Sequence, residues 1–251
     1  MIEILPLRDL AEIEPGDDLG ALLRGALERL AYDACAGDVL VVTQKIVSKA
    51  EGLLIRLDDV QPGPRALELA QTTRKDARLV EIILAESIDI VRAVPGVLIT
   101  RHRSGHVMAN AGVDRSNIGQ DAGDWVLLLP ADADRSAAMI REALQRRWAE
   151  PPGVVISDSF GRPWRQGVVN VAIGASGVPA LVDRRGARDR DGRTLEVTQV
   201  ALADLVAAAA GLAMGEAAEG IPAALVRGVA VDHPPRPAAA LVRPVAEDLF
   251  R

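Results

Sequence analysis

The sequence predicts a mixed α/β or α+β body made of two closely joined lobes. Helical periods alternate with short apolar, β-branched runs along most of the chain. Buried-strand runs occur beside hairpin-type turns, so the expected sheets are mixed rather than doubly wound. No fixed-period repeat and no low-complexity linker divides the 251 residues, a length between one domain and two at ~150 residues each.

Each element has its own signal. Leu22, Leu23, Ala26, Leu27 and Leu30 recur at helical spacing. Gly37-Asp38 then opens the β-branched run 39–42, which reads as a buried strand. Residues 64–87 read as one long helix with Leu67, Ala70, Leu79, Ile82 and Ile83 near one stripe. Residues 96–100 and 106–109 read as strands of a hairpin around Arg103-Ser104-Gly105. A further strand is expected over 125–129, closed by Pro130. A helix over 136–149 follows, entered through Asp132 and Asp134. Residues 154–156, 168–173 and 178–182 read as strands, the last two flanking Gly174-Ala175-Ser176-Gly177. An Ala-rich helix is expected over 195–214, and a Pro-rich, surface-hugging tail from His233 to Arg251.

Composition excludes several function classes. At 49% hydrophobic and 25% charged residues the chain has the makings of a sizeable core. The net charge is −6, which offers no broad basic face for nucleic acid. Aromatics are 2%, too few for base-stacking platforms. One Cys and three His make neither a disulfide scaffold nor a Cys/His zinc cluster, and Cys35 is expected to be buried and inert. His102, His106 and His233 form no constellation by spacing and read as structural or surface residues. The N-terminus lacks a basic start with a long apolar run, and no stretch approaches the ~20 apolar residues of a membrane span, so the expected location is the cytoplasm.

The common nucleotide, hydrolase and zinc-protease motifs are absent. Chemistry-bearing residues collect instead at the ends of expected strands. In 157–167 (SDSFGRPWRQG), Asp158 and Ser159 offer hard oxygens suited to Mg²⁺ or Mn²⁺. Arg162 and Arg165 offer forks for phosphate or carboxylate. A charged loop with a local Asp–Arg pair explains the same residues. In 110–117 (NAGVDRSN), Asp114 is a second candidate metal carboxylate and Asn117 a candidate phosphate or base contact; an Asx-type turn is the plain reading. In 43–52 (TQKIVSKAEG), Lys49 suits a phosphate as a point charge, or a solvated turn. In 214–222 (MGEAAEGIP), Gly215 and Gly220 allow close backbone approach and Glu216 could reach a metal; a helix C-cap and turn serve equally. Two Asp at two strand ends make sense together if one metal holds a polyphosphate.

These four clusters, with Leu5-Pro6-Leu7-Arg8 before them and Val226-Arg227-Gly228 after, resemble in order the coenzyme F420-0:γ-glutamyl ligase family. The resemblance runs from residue 1 to about 230 and includes the tail; residues 157–165 carry its most specific motif. It implies one family domain over 1–230, in two lobes with mixed sheets and flanking helices, and a tail over 231–251 packed on it. It implies a GTP-dependent enzyme that joins L-glutamate to the lactyl carboxylate of F420-0 through an acyl phosphate and can add further γ-linked glutamates. Leu5, Pro6, Leu7, Arg8, Gln44, Lys49, Asn117, Met214, Gly215, Glu216, Gly220 and Ile221 then look like GTP contacts. Asp114 and Asp158 look like ligands of one metal, with Ser159 and Glu216 at a second. Lys49, Arg162 and Arg165 would neutralise charge beside them. The family often has Thr at the place of Ser159 and Ser at that of Gln44, and acid or amide at that of Glu216. Mg²⁺ against Mn²⁺, and a supporting K⁺, stay open. The resemblance further implies a homodimer, acting alone rather than fused to a flavin-type reductase domain. A same-fold amide ligase on another carboxylate or a modified deazaflavin precursor, and a non-catalytic GTP-binding module, are the competing readings.

Overall fold

A computed structural model describes residues 1–119 and 124–248. Its elements run β1 (Glu3–Pro6), α1 (Leu19–Arg29), β2 (Val39–Thr43), α2 (Gln44–Ala50), β3 (Leu54–Arg56), α3 (Pro64–Thr73), α4 (Ala77–Ala85), β4 (Ser87–Val94), β5 (Val97–His102) and β6 (Val107–Ala109). They continue β7 (Trp125–Leu127), α5 (Ala133–Gln145), β8 (Gly153–Arg162), β9 (Arg165–Ser176), β10 (Leu181–Asp183), β11 (Gln199–Ala201), α6 (Leu202–Met214) and β12 (Ala223–Arg227). The result is the mixed helix-and-sheet architecture that the sequence predicts.

The central sheet has the order β1-β12-β2-β8-β9. Only β2 and β8 are parallel; the other three pairings are antiparallel. Residues 39–42, 153–156 and 223–226 of its middle strands are apolar because both faces are covered there. Leu40, Val42, Val154 and Ile156 enter one core with α1 and α5. Val39, Val41 and Val155 enter the opposite core with α6 and Ala238 of the tail. A third core joins α3, α4 and β7 with Leu98 of β5. Gly174 lets α5 lie directly on β9, since a Cβ there would stand 2.3 Å from the Ala133 carbonyl oxygen.

Several expectations are corrected. The single helix over 64–87 is two, because Arg74 turns left-handed (φ 55°) and Asp76 caps a new start by accepting from the Arg78 amide. Residues 87–94, absent from the expected strands, form β4, whose outer face leaves Ile88 and Val91 exposed. The Ala-rich helix begins at Leu202 rather than 195, after the short strand β11. The expected polar loop after 154–156 is mostly strand: β8 continues to Arg162 and turns into β9. Gly174, Ala175 and Ser176 belong to β9 rather than to a connection. Cys35 is exposed, not buried, and accepts a hydrogen bond from Arg227 Nη2 at 3.2 Å.

Two contacts join the described part of the tail to other elements. Asp134 accepts from the amides of Ala238 and Ala239, and Arg101, 5% exposed, pairs with Asp248 at 3.1 Å. Its last residues, 249–251, lie outside the described residues. No helix among the described residues is long and apolar enough to cross a membrane.

Candidate active site

The parallel pair β2/β8 ends with Thr43 beside Ser157, so the α2 start and Asp158 leave the sheet at the same edge. Lys45 and Lys49 are four residues apart on α2, hence on one helix face. Lys45 pairs with Asp114 and also donates to Ser116 Oγ at 3.0 Å and to the Ser116 carbonyl at 3.2 Å. Lys49 is 6% exposed and pairs with Glu12.

Asp114 is held by its backbone as well as its side chain. It forms an isolated antiparallel bridge with Leu127, and its Oδ1 accepts from the Ser116 amide at 2.8 Å and hydroxyl at 2.9 Å. Burial pushes this carboxyl up, but the hydrogen bonds from Lys45 and Ser116 outweigh it and hold it below the usual carboxylate range. Asp158 shows the opposite balance. Burial lifts it to about 6, the Ser159 amide and Lys45 oppose the rise, and the Asp114 and Glu216 carboxylates add to it. That mutual influence places Lys45, Asp114, Asp158 and Glu216 in one electrostatic cluster.

The other side of β8 holds Ser159. Its hydroxyl donates to Glu216 Oε2 at 2.6 Å, and Asn170 on β9 donates to Glu216 Oε1 at 2.7 Å. Glu216 is delivered by the end of α6, where Gly215 takes φ 74°. Gly211, one turn earlier, leaves room for Asn170, whose Nδ2 would stand 2.6 Å from a Cβ. Asn117 Nδ2 reaches the Ala217 carbonyl at 3.3 Å, tying the 110–117 loop to 214–221.

Other expected site residues stand differently. The Leu7 side chain is core at 1% exposure, and Leu5 packs on the same core, while Arg8 is exposed. Pro6 lies in β1 paired with Ala224, Met214 and Ile221 are buried, and Gly220 is exposed. The Gln44 side chain is 1% exposed, its Oε1 accepting from Ser48 at 3.0 Å, so it faces inward. Arg162 and Arg165 pair with each other at the β8–β9 turn, four residues of strand (~13 Å) beyond Asp158, and are not brought into the cluster. Sequence reasoning passed over Lys45, Glu12 and Asn170. Lys45 had a signal: it shares a helix face with Lys49 in a chain with three Lys.

A family described as F420-0:Gamma-glutamyl ligase matches residues 9–228. The chain belongs to the F420-0:gamma-glutamyl ligase family. A relative from Methanopyrus kandleri, named coenzyme F420:L-glutamate ligase, is 48% identical over 254 aligned positions, covering 100% of this chain and 97% of its own length. Relatives of the same name from Methanothermobacter thermautotrophicus and Methanocaldococcus jannaschii are 42% and 43% identical, covering 100% and 86% of this chain and 99% and 85% of their own. The family's matched span contains both carboxylate-bearing strand ends, both α2 lysines and the Glu216 loop.

Among the described residues no three His, Cys, Asp or Glu side chains form a ready cage for an ion. The lifted Asp158 carboxyl, crowded by Asp114 and Glu216, is the feature a divalent cation would relieve.

Proposed function

We propose that this protein is a GTP-dependent ligase that joins L-glutamate to the lactyl carboxylate of coenzyme F420-0, in coenzyme F420 biosynthesis, and can add further γ-linked glutamates. The observation that carries the reading is the Lys45–Asp114–Asp158–Glu216 cluster in a chain that shares its full length with relatives named for that reaction. Asp114 and Asp158 would hold one divalent cation, Mg²⁺ or Mn²⁺, with Ser159 and Glu216 at a second. Bound there, such ions would supply charge neutralisation to phosphoryl oxygens.

A free carboxylate is a poor acyl donor. Transfer of the GTP γ-phosphoryl to it gives an acyl phosphate, with GDP leaving; the glutamate amine then forms the amide and expels phosphate. Phosphoryl transfer needs positioning and charge more than a covalent enzyme group. Lys45 and Lys49 supply fixed positive charge from one helix face, and either can turn from its carboxylate partner to a phosphate. Asn117, bonded to the 214–221 loop, ties two candidate nucleotide-contacting segments together. Leu5–Arg8 would meet GTP through backbone and the exposed Arg8. The reading includes a cytoplasmic homodimer; Leu205 and Leu212, 59% and 86% exposed on α6, support the dimer.

The test is a coupled assay. Purified protein is mixed with F420-0, L-glutamate, GTP and Mn²⁺, and GDP and product mass are followed together. Gain of glutamyl units matched by GDP supports the ligase. GDP without mass gain points to another acceptor carboxylate. GTP binding with neither signal favours a non-catalytic module.

A further inference from the structure

Two of the three histidines that show no constellation by spacing, His102 and His106, come together in space. The β5–β6 turn places His102 Nδ1 at 2.7 Å and His106 Nδ1 at 2.8 Å from the same Ser104 hydroxyl. They line a cavity of about 220 Å³ together with Asp132, Asp134 and Ile173. That is roughly seven water volumes at ~30 Å³ each, too small for a nucleotide or a deazaflavin but enough for the end of an amino acid.

The hydrogen bonds fix which nitrogens carry protons. The Ser104 amide donates to His102 Nδ1 at 3.0 Å, so that nitrogen is bare. His102 Nε2 therefore carries the hydrogen and stands 3.5 Å from the Glu86 carboxylate, which Arg103 also holds. The Ser104 hydroxyl gives its one proton to His102 Nδ1, leaving its oxygen an acceptor. His106 Nδ1 is then the donor to Ser104, and His106 Nε2 is a bare lone pair left for an occupant. Burial keeps both imidazoles neutral well below pH 7.

The cavity's charge selects the occupant. Asp132 and Asp134 are in its described lining, which has neither Lys nor Arg; Asp132 accepts from the Arg135 amide, and Asp134 from the Ala175, Ala238 and Ala239 amides. Asp134 also acts on His106 electrostatically. Such a pocket favours an ammonium over a carboxylate. Its place fits too. The His106 ring meets Phe160 edge-on at 5.8 Å. Phe160 and Asp158 are two residues apart on β8, on one face and ~7 Å apart. Ile173 lies on β9 at the register shift opposite Ile156 and Ser157, one step from Asp158.

We propose that this cavity seats the amino end of the amino-acid nucleophile, with His106 Nε2 as the acceptor of its ammonium, and with Ser104 and His102 as positioning residues that fix the His106 tautomer. This rests on the ligase reading above. The seated ammonium donates a hydrogen bond to His106 Nε2; before attack it loses one proton to water, and the electron pair left on nitrogen forms the amide bond as phosphate leaves. The neutral imidazole keeps its Nδ1–H on Ser104.

Hydroxylamine separates this site from the rest of the reaction, because it is unprotonated at pH 7.5 and needs no ammonium seat. His106→Ala is expected to raise KM for L-glutamate at least 10-fold, while F420-0 hydroxamate formation from GTP and hydroxylamine stays within 2-fold of wild type. His106→Gln, which restores an acceptor, should recover part of the KM. Equal loss of both reactions, or unchanged glutamate kinetics in a folded His106→Ala, overturns the proposal. Wild type without hydroxamate or glutamyl product overturns the ligase reading instead. The cavity is then read directly: His106 ring resonances should shift on adding L-glutamate and not on adding succinate, which lacks the amine, and absence of that shift overturns the seat.

Discussion

Asp158 is placed where ionisation is unfavourable. Its carboxyl is lifted to about 6 by burial first, with Asp114 and Glu216 adding to the rise. A folded-state value above the ordinary one means that the folded chain holds the proton longer than the unfolded chain. Stability from this group is therefore present at low pH and is lost as pH rises between about 4 and 6. Asp158→Asn removes the charge without changing the shape. It should abolish nearly all ligation, by roughly 10³-fold or more, through loss of several kcal/mol of charge stabilisation. The same variant, free of metal, should be more stable than wild type at pH 8 by about 2 kcal/mol, and the gain should shrink toward pH 4. Urea unfolding in EDTA at both pH values checks this. Wild-type activity in the variant would remove Asp158 from the site.

At the scale of elements, side chains from one layer complete the backbone of another. β9 is the outer strand of the central sheet, and Asp204 from α6 accepts from its Ala172 amide at 2.9 Å. Asp134 does the same for Ala175 at 2.7 Å. An outer strand presents unpaired amides, so these carboxylates hold helices to sheet by satisfying them. Asp204→Ala should destabilise the protein by about 1–3 kcal/mol by orphaning a partly buried N–H, whereas Asp204→Asn, which keeps an acceptor, should cost less. Thermal unfolding of the pair separates the lost acceptor from the lost charge.

The same scale explains what could be read from the sequence. β2 and the first half of β8 were readable because their apolar runs answer to two covered faces. The outer half of β8 was not, since Ser157, Asp158 and Ser159 carry no apolar alternation and polar strand residues look like a loop. The break between α3 and α4 lay in Asp76, a cap signal hidden inside a continuous helical stripe. The carboxylates of the site were visible as strand-end residues. The Lys45–Asp114 pairing and the His102–Ser104–His106 cluster were not: one joins residues 69 apart, and the other needs a hairpin turn to fold two imidazoles onto the Ser104 hydroxyl.

Over the whole molecule the tail closes what the hairpin opens. Arg101 is buried and its Asp248 partner comes from the end of the described chain. Asp248→Ala leaves that guanidinium without this partner and should cost a few kcal/mol. The fold as a whole should also weaken in acid. His102 is 1% exposed, and burial, with Arg103 adding to it, lowers its value from 6.5 to about 4. As pH falls through 6.5 the unfolded chain takes this proton and the folded chain does not, so stability drops until about pH 4. Full expression of the shift is worth on the order of 3 kcal/mol, and the raised Asp158 works against it between about 6 and 4. His102→Gln, which cannot titrate, should lose about 2 kcal/mol less stability than wild type between pH 7 and pH 4.5. Urea midpoints of both proteins at the two pH values decide it. Parallel pH profiles would mean that His102 already exchanges its proton freely in the folded state, and that the Glu86–His102–Ser104 contacts do not hold its tautomer.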